Sequence, residues 1–347
     1  MKTKKTKNAS PNNSKYAKQT IIGKLFFVFT LLFLASCNND DNGISVPPSI
    51  SGLEVTAKII ENRNEAKQII NIDATSGGEV YGEDGTILYF PANSLLHQNG
   101  DPVTGSVTIE LVEIYDKAKM LLTKMPTNGK RPNGDVETLS SGGEFYINAL
   151  KNEEQLQLAN AIQIFAPTDD FDDQMVLFNG VNNDCNSDND LECDVVWEED
   201  EQAEDLEMIQ REGPNGTGVT GYFGFIGNFG WTNIDRWYSD PRPKTMLQVD
   251  VPEGYDNTNC NVYVTYDGEP TTLALLDIYD SQTGLFSEHY GLIPIGLEVH
   301  IIFVSVQNDQ YVYAIQAATI EEDHLEVIGA TITGTEAELV ALIDALP

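Results

Sequence analysis

The feature that most constrains this fold is a long succession of short runs that alternate apolar and polar residues, each closed by a turn signal. Gly105-Ser106-Val107-Thr108-Ile109-Glu110-Leu111-Val112-Glu113 follows the period-two pattern of a strand with one face buried. Gln155-Leu156-Gln157-Leu158 does the same. Further strands are expected over 86–90, 144–149, 161–165, 175–178, 195–197, 221–226, 245–251, 261–266, 272–279, 299–306 and 311–318. Asn99-Gly100, Asn133-Gly134, Asp267-Gly268 and Asn308-Asp309 mark turns between them. Many short strands with frequent turns define sandwiches or barrels, and no strand–helix alternation of a parallel sheet is evident. Two helices are expected. One covers 53–66; the other covers 335–346, where Thr335 caps and Leu339, Val340, Leu342, Ile343 and Leu346 give an apolar face. The expectation is a mainly β protein with two β-sandwich-like domains, over 52–170 and 171–347, the second closed by a short C-terminal helix.

Charge narrows the function. The formal net charge is −34, from 20 basic and 54 acidic residues. Contact with nucleic-acid phosphates needs a basic face, so nucleic acid is excluded as a partner. Seven of the lysines (residues 2, 4, 5, 7, 15, 18 and 24) fall within the first 37 residues, which hold no acid. The remainder carries 13 basic against 54 acidic residues, a net of −41. A basic beginning so unlike the rest has the composition of a targeting segment.

Within it, Leu25–Leu34 is an uncharged stretch of ten residues. As a helix it would reach about 15 Å at roughly 1.5 Å per residue, half of a ~30 Å hydrocarbon core. It fits the apolar region of a signal peptide. Leu34-Ala35-Ser36-Cys37 follows, and this resembles the lipobox of bacterial lipoproteins. The resemblance implies a signal peptide over 1–36, cleavage before Cys37, and diacylglycerol and an acyl chain on Cys37, which together hold a protein firmly on a membrane. The alternatives are a plain secretory signal or an uncleaved anchor. Asn38-Asn39-Asp40-Asp41-Asn42 resembles the acidic export signal of surface lipoproteins of the Bacteroidota. It implies an outer-membrane, cell-surface location, with an acidic tether over 37–51 that Pro47-Pro48 stiffens.

A second resemblance lies in Gly85-Thr86-Ile87-Leu88-Tyr89-Phe90-Pro91-Ala92, Gly105-Ser106-Val107 and Ser140-Ser141-Gly142-Gly143-Glu144-Phe145. Their order is similar to the β-sandwich module of ankyrins and netrin receptors, over roughly 68–170. It implies a fold and no chemistry.

Candidate chemistry is sparse. The four histidines, His97, His289, His300 and His324, form no H-E-x-x-H pair, and no nucleophile elbow, P-loop or dinucleotide fingerprint occurs. The chain is therefore expected not to be an enzyme; the rival reading is a hydrolase with a carboxylate site. Asp184, Asn186, Asp188, Asp190 and Glu192 place oxygens at every second position, which resembles the first part of a calcium loop. Asn189 and Val195 stand where that pattern has glycine and glutamate, so a solvated acidic hairpin tip is the competing reading. Cys185 and Cys193 bracket this loop and are expected to form a disulfide in an oxidising compartment, leaving Cys260 over. In Phe229-Gly230-Trp231-Thr232-Asn233-Ile234-Asp235-Arg236-Trp237-Tyr238, the rings of Trp231, Trp237 and Tyr238 make either an aromatic corner or a platform for sugar rings. The stretch resembles a "GW-x-N-x-DR" segment of similar bacterial proteins.

The expectation is a lipid-anchored envelope protein that requires no cofactor, with a covalent lipid on Cys37 and calcium as the candidate ligand of the 184–192 loop. Its partners are the membrane, through the anchor, and a surface protein or glycan. A periplasm-facing assembly factor is the further alternative.

Overall fold

The computed structural model describes residues 50–182, 190–212, 218–289 and 291–347. The leader, Cys37 and most of the tether lie outside them. The described chain is mainly β, and no helix in it is long and apolar enough to cross a membrane.

Helix α1 (Gly52–Glu65) opens the described chain, with the Ser51 side chain accepting from the Leu53 N–H. Sheet I then assembles from Gln68–Asp73, Ser106–Ile114, Val136–Lys151, Gly230–Trp237, Val176–Val181, Val196–Glu199 and Asn128–Lys130, in that spatial order. Asn128–Lys130 bonds to Val196–Glu199 on one side and back to Val136–Lys151 on the other. The sheet therefore curls into a ring of five strands at this end. Sheet II runs Glu207–Glu212, Gly218–Ile226, Ile162–Pro167, Ile87–Phe90 and Gly78–Tyr81. The alternation read over 105–113 puts Val107, Ile109 and Leu111 inside, where with Phe145 and Ile147 of sheet I they pack against Val80, Leu88, Ile162, Ile164 and Ile226 of sheet II. This is the first sandwich.

The second sandwich pairs sheet III with sheet IV. Sheet III holds Ala274–Leu275, Asn261–Tyr266, Glu298–Gln307, Gln310–Thr319 and Ile332–Gly334; sheet IV holds Ile278–Asp280, Leu285–Ser287, Leu247–Asp250 and His324–Val327. Val262, Val264, Val299, Ile301 and Phe303 pack on Leu247, Val249 and Phe286 between them. The hairpin between Gln307 and Gln310 turns on Asn308 and Asp309, both with positive φ (52° and 59°), the geometry the sequence signal implies.

A third core joins the two. The outer faces of sheet I (Val112, Tyr146, Phe178) and of sheet III (Tyr263, Ile302, Val304) close on Val55 of α1 and Leu339 and Ile343 of α3 (Glu336–Ile343). Between them lie Met120 and Leu121 of α2 (Lys117–Thr123). Strands on both sides of residue 170 share sheets I and II, and the change of sandwich falls between Trp237 and Lys244. The sheets thus divide some 70 residues later than the boundary expected at 170/171. The reason is long-range: Gly230–Trp237 pairs with Val136–Lys151, far earlier in the chain, and brings Val176–Val181 into the same sheet on its other edge, which local alternation does not encode.

Helix α1 forms where a helix is expected. Helix α2 is not foreseen, because seven residues are too few for periodicity to register and its stability comes from burial.

Candidate functional site

Two motifs singled out in the sequence meet here. Ser140–Ile147 and Gly230–Trp237 are antiparallel neighbours, with Trp231 opposite Tyr146 and Asn233 opposite Glu144. The register then slips, so that Asp235 faces Ser141. Gly142-Gly143 accommodates the slip. Gly143 has φ +139°, and a Cβ there would come within 2.7 Å of the Tyr115 and Phe145 rings.

The slip gathers four polar side chains in the interior. Glu144, Asn233 and Asp235 have no exposed surface and Ser141 almost none. Asn233 Nδ2 donates to Asp235 Oδ2 at 2.6 Å, and Ser141 Oγ donates to Asn233 Oδ1 at 3.1 Å. Neither oxygen of Glu144, nor Oδ1 of Asp235, meets a hydrogen-bond partner among the described residues. Burial raises both carboxyls well above the ordinary carboxylate range, and the negative Asp235 adds to the rise at Glu144. Arg236, the next residue, turns away to Asp172 at 2.8 Å and to Glu269 at 3.0 Å. Glu269 also accepts from Ser140 Oγ at 2.9 Å, so the motif ties the first sandwich to a loop of the second. The acids are sealed from solvent and cannot meet a substrate as they stand.

The three rings proposed as a platform are not brought onto one exposed surface. Trp231 is 4% exposed and packs on Tyr146 with centroids 5.4 Å apart. Trp237 donates to Glu199 at 2.8 Å and carries the Arg131 guanidinium 3.6 Å above its ring. Tyr238 stands edge-on to Tyr266 at 4.8 Å. The correction follows from the pleat: Trp231 projects into the core shared by the sandwiches, whose apolar area outweighs any surface role.

Tyr238 nonetheless borders a cavity of about 240 Å³ where the two sandwiches meet. Thr138 and Glu137 line it from the first, and Lys244, Tyr266 and His289 from the second. Glu137 is held by Arg131 through two hydrogen bonds of 3.0 Å, and His289 lies 2.7 Å from Asp277. Burial lowers the Lys244 ammonium below the usual lysine range. Aromatic walls with an amine and a carboxylate in one recess suit a small polar ligand. Lys244 carries no motif that would mark it in the sequence. Its place in the recess follows from pairing of Lys244 and Thr245 with Ile293 and Pro294.

Of the calcium-loop donors, Asp184, Asn186 and Asp188 lie outside the described residues, whereas Asp190 and Glu192 fall in a short 3-10 turn. Cys193 is buried and disulfide-bonded; Cys185, its expected partner, lies outside the described residues. Cys260 is a buried free thiol whose Sγ donates to the Asp256 carbonyl at 3.2 Å.

No protein-family model matches this chain, and no curated protein and no solved structure matches it.

Proposed function

We propose that this protein is a lipid-anchored component of the outer bacterial envelope that acts by recognition, offering the recess between its sandwiches to a surface protein or glycan. The observation that carries the reading is that recess, lined by Tyr238, Lys244 and Glu137 where the two sandwiches meet. The anchor is supported by Leu34-Ala35-Ser36-Cys37. The tether would precede α1, whose Asn62 and Arg63 donate to the Leu122 and Thr123 carbonyls of α2. Recognition is favoured over hydrolysis because the acids with the strongest upward shifts, Glu144 and Asp235, are enclosed.

The test uses intact cells expressing the wild type, Cys37→Ala, or a Tyr238→Ala/Lys244→Ala double variant. Protease shaving of the wild type, with loss of Cys37→Ala from the membrane fraction, is the expected result for location. A membrane-bound wild type protected from protease would instead turn the protein toward the periplasm. For recognition, the double variant is expected to lose capture of envelope glycans or proteins with its melting temperature unchanged. Equal capture by both forms would remove the recess as the binding site.

A further inference from the structure

The enclosed acids point to something the motifs alone do not. Glu144 presents two carboxylate oxygens, and Asp235 a third, to an interior where no described hydrogen-bond donor meets them. Asn233 Oδ1 and Ser141 Oγ sit in the same cluster. Two ionised carboxylates left so would be prohibitively costly, and a buried charge of this kind is neutralised by a proton or by a cation. Arg236 does not serve, being engaged with Asp172 and Glu269.

We propose that Glu144 and Asp235, with Asn233 and Ser141 beside them, bind a calcium ion in the wall of sheet I. The donors decide the ion. Every one is oxygen, which disfavours zinc, whose structural sites draw on nitrogen and sulfur. The cluster is closed to solvent, which disfavours magnesium, an ion that retains several of its waters. Calcium dehydrates more readily, takes six to eight oxygens and accepts a bidentate glutamate. The strongly acidic chain also concentrates cations around itself. Bound there, the ion would fasten Val136–Lys151 to Gly230–Trp237 at the point where their register slips. This site is distinct from the 184–192 loop and does not depend on the proposed recess.

The full-length protein, purified in detergent, is washed with a chelator-treated buffer and its calcium measured by emission spectroscopy. The wild type is expected to keep a stoichiometric calcium, Glu144→Gln to lose it, and an Asp184→Asn/Asp188→Asn variant to retain it. Strong chelation should lower the melting temperature of the wild type and leave that of Glu144→Gln unmoved. Should Glu144→Gln not fold, terbium is added to the wild type alone. Tryptophan-sensitised emission is expected, because Trp231 lies two residues from Asn233 on the same strand. A wild type with no retained calcium, no response to chelation and no terbium emission would overturn the proposal and assign protons to both carboxyls.

Discussion

Arg63 carries its charge with none of its surface exposed, so its value depends on each donor finding an acceptor. Nε donates to the Thr123 carbonyl at 2.6 Å, and Nη2 to the Lys124 carbonyl at 3.1 Å and to Asp194 at 2.8 Å. One side chain of α1 thereby holds the end of α2 and the segment after the 3-10 turn. Arg63→Met is expected to cost about 2–4 kcal/mol in urea unfolding, because it strands the Thr123 and Lys124 carbonyls, while the exposed Asp194 keeps Lys124 at 2.6 Å. Arg63→Lys should recover little of this, since an ammonium cannot match the planar fork. Asp194 answers to the same contact. Burial pushes its carboxyl upward, but Lys124 and Arg63 outweigh burial and leave it below the ordinary value. A lowered folded value contributes stability that is present above pH about 4 and is lost as pH falls through that lowered value. Urea midpoints measured from neutral pH downward should therefore fall less steeply for Asp194→Asn than for the wild type.

Helix α3 shows how much of an element a sequence can specify. Thr335 accepts from the Glu338 N–H while Glu338 accepts from the Thr335 N–H, a reciprocal cap that satisfies two otherwise free donors. The cap and the apolar positions Leu339 and Ile343 are legible because all lie within a few residues. Thr335→Ala is expected to cost about 1 kcal/mol, read as a lower urea midpoint. The Asn308-Asp309 hairpin is legible for the same reason. Helix α2 is not: it is held by an Asp116 cap and a left-handed Lys124, and its burial among α1, α3 and both sheets replaces intrinsic propensity. Nor is the closure of sheet I, where Asn128–Lys130 bonds to strands on both sides. There Gly129 leaves room for the Leu139 side chain, which a Cβ at that position would approach to 2.7 Å.

At the scale of the molecule, the core between sheets I and III sets behaviour. Each sandwich has its own interior, yet Tyr146, Trp231, Tyr263 and Ile302 bury in the core they share with three helices. Separating the sandwiches would expose that core to water, at roughly 25 cal/mol per Å² of apolar area. Scanning calorimetry is therefore expected to show one cooperative transition for both sandwiches. Two resolved transitions, or an independently folded fragment ending near residue 243, would contradict the coupling.

The sequence by itself determined the β class, the turns, the capped C-terminal helix and the acidic surface. Each follows from residues that act on their near neighbours or from bulk composition. It also singled out both halves of the Ser140–Phe145 and Trp231–Arg236 cluster without joining them. The tertiary structure decided that Glu144 and Asp235 share one interior and that Trp231 faces a core instead of solvent. It also decided that the sandwiches divide after Trp237. Those outcomes depend on strand register between segments some 90 residues apart, where one residue of slip exchanges the inner and outer faces of a strand. Alternation within a strand records that it has two faces; only its partner fixes what each face meets.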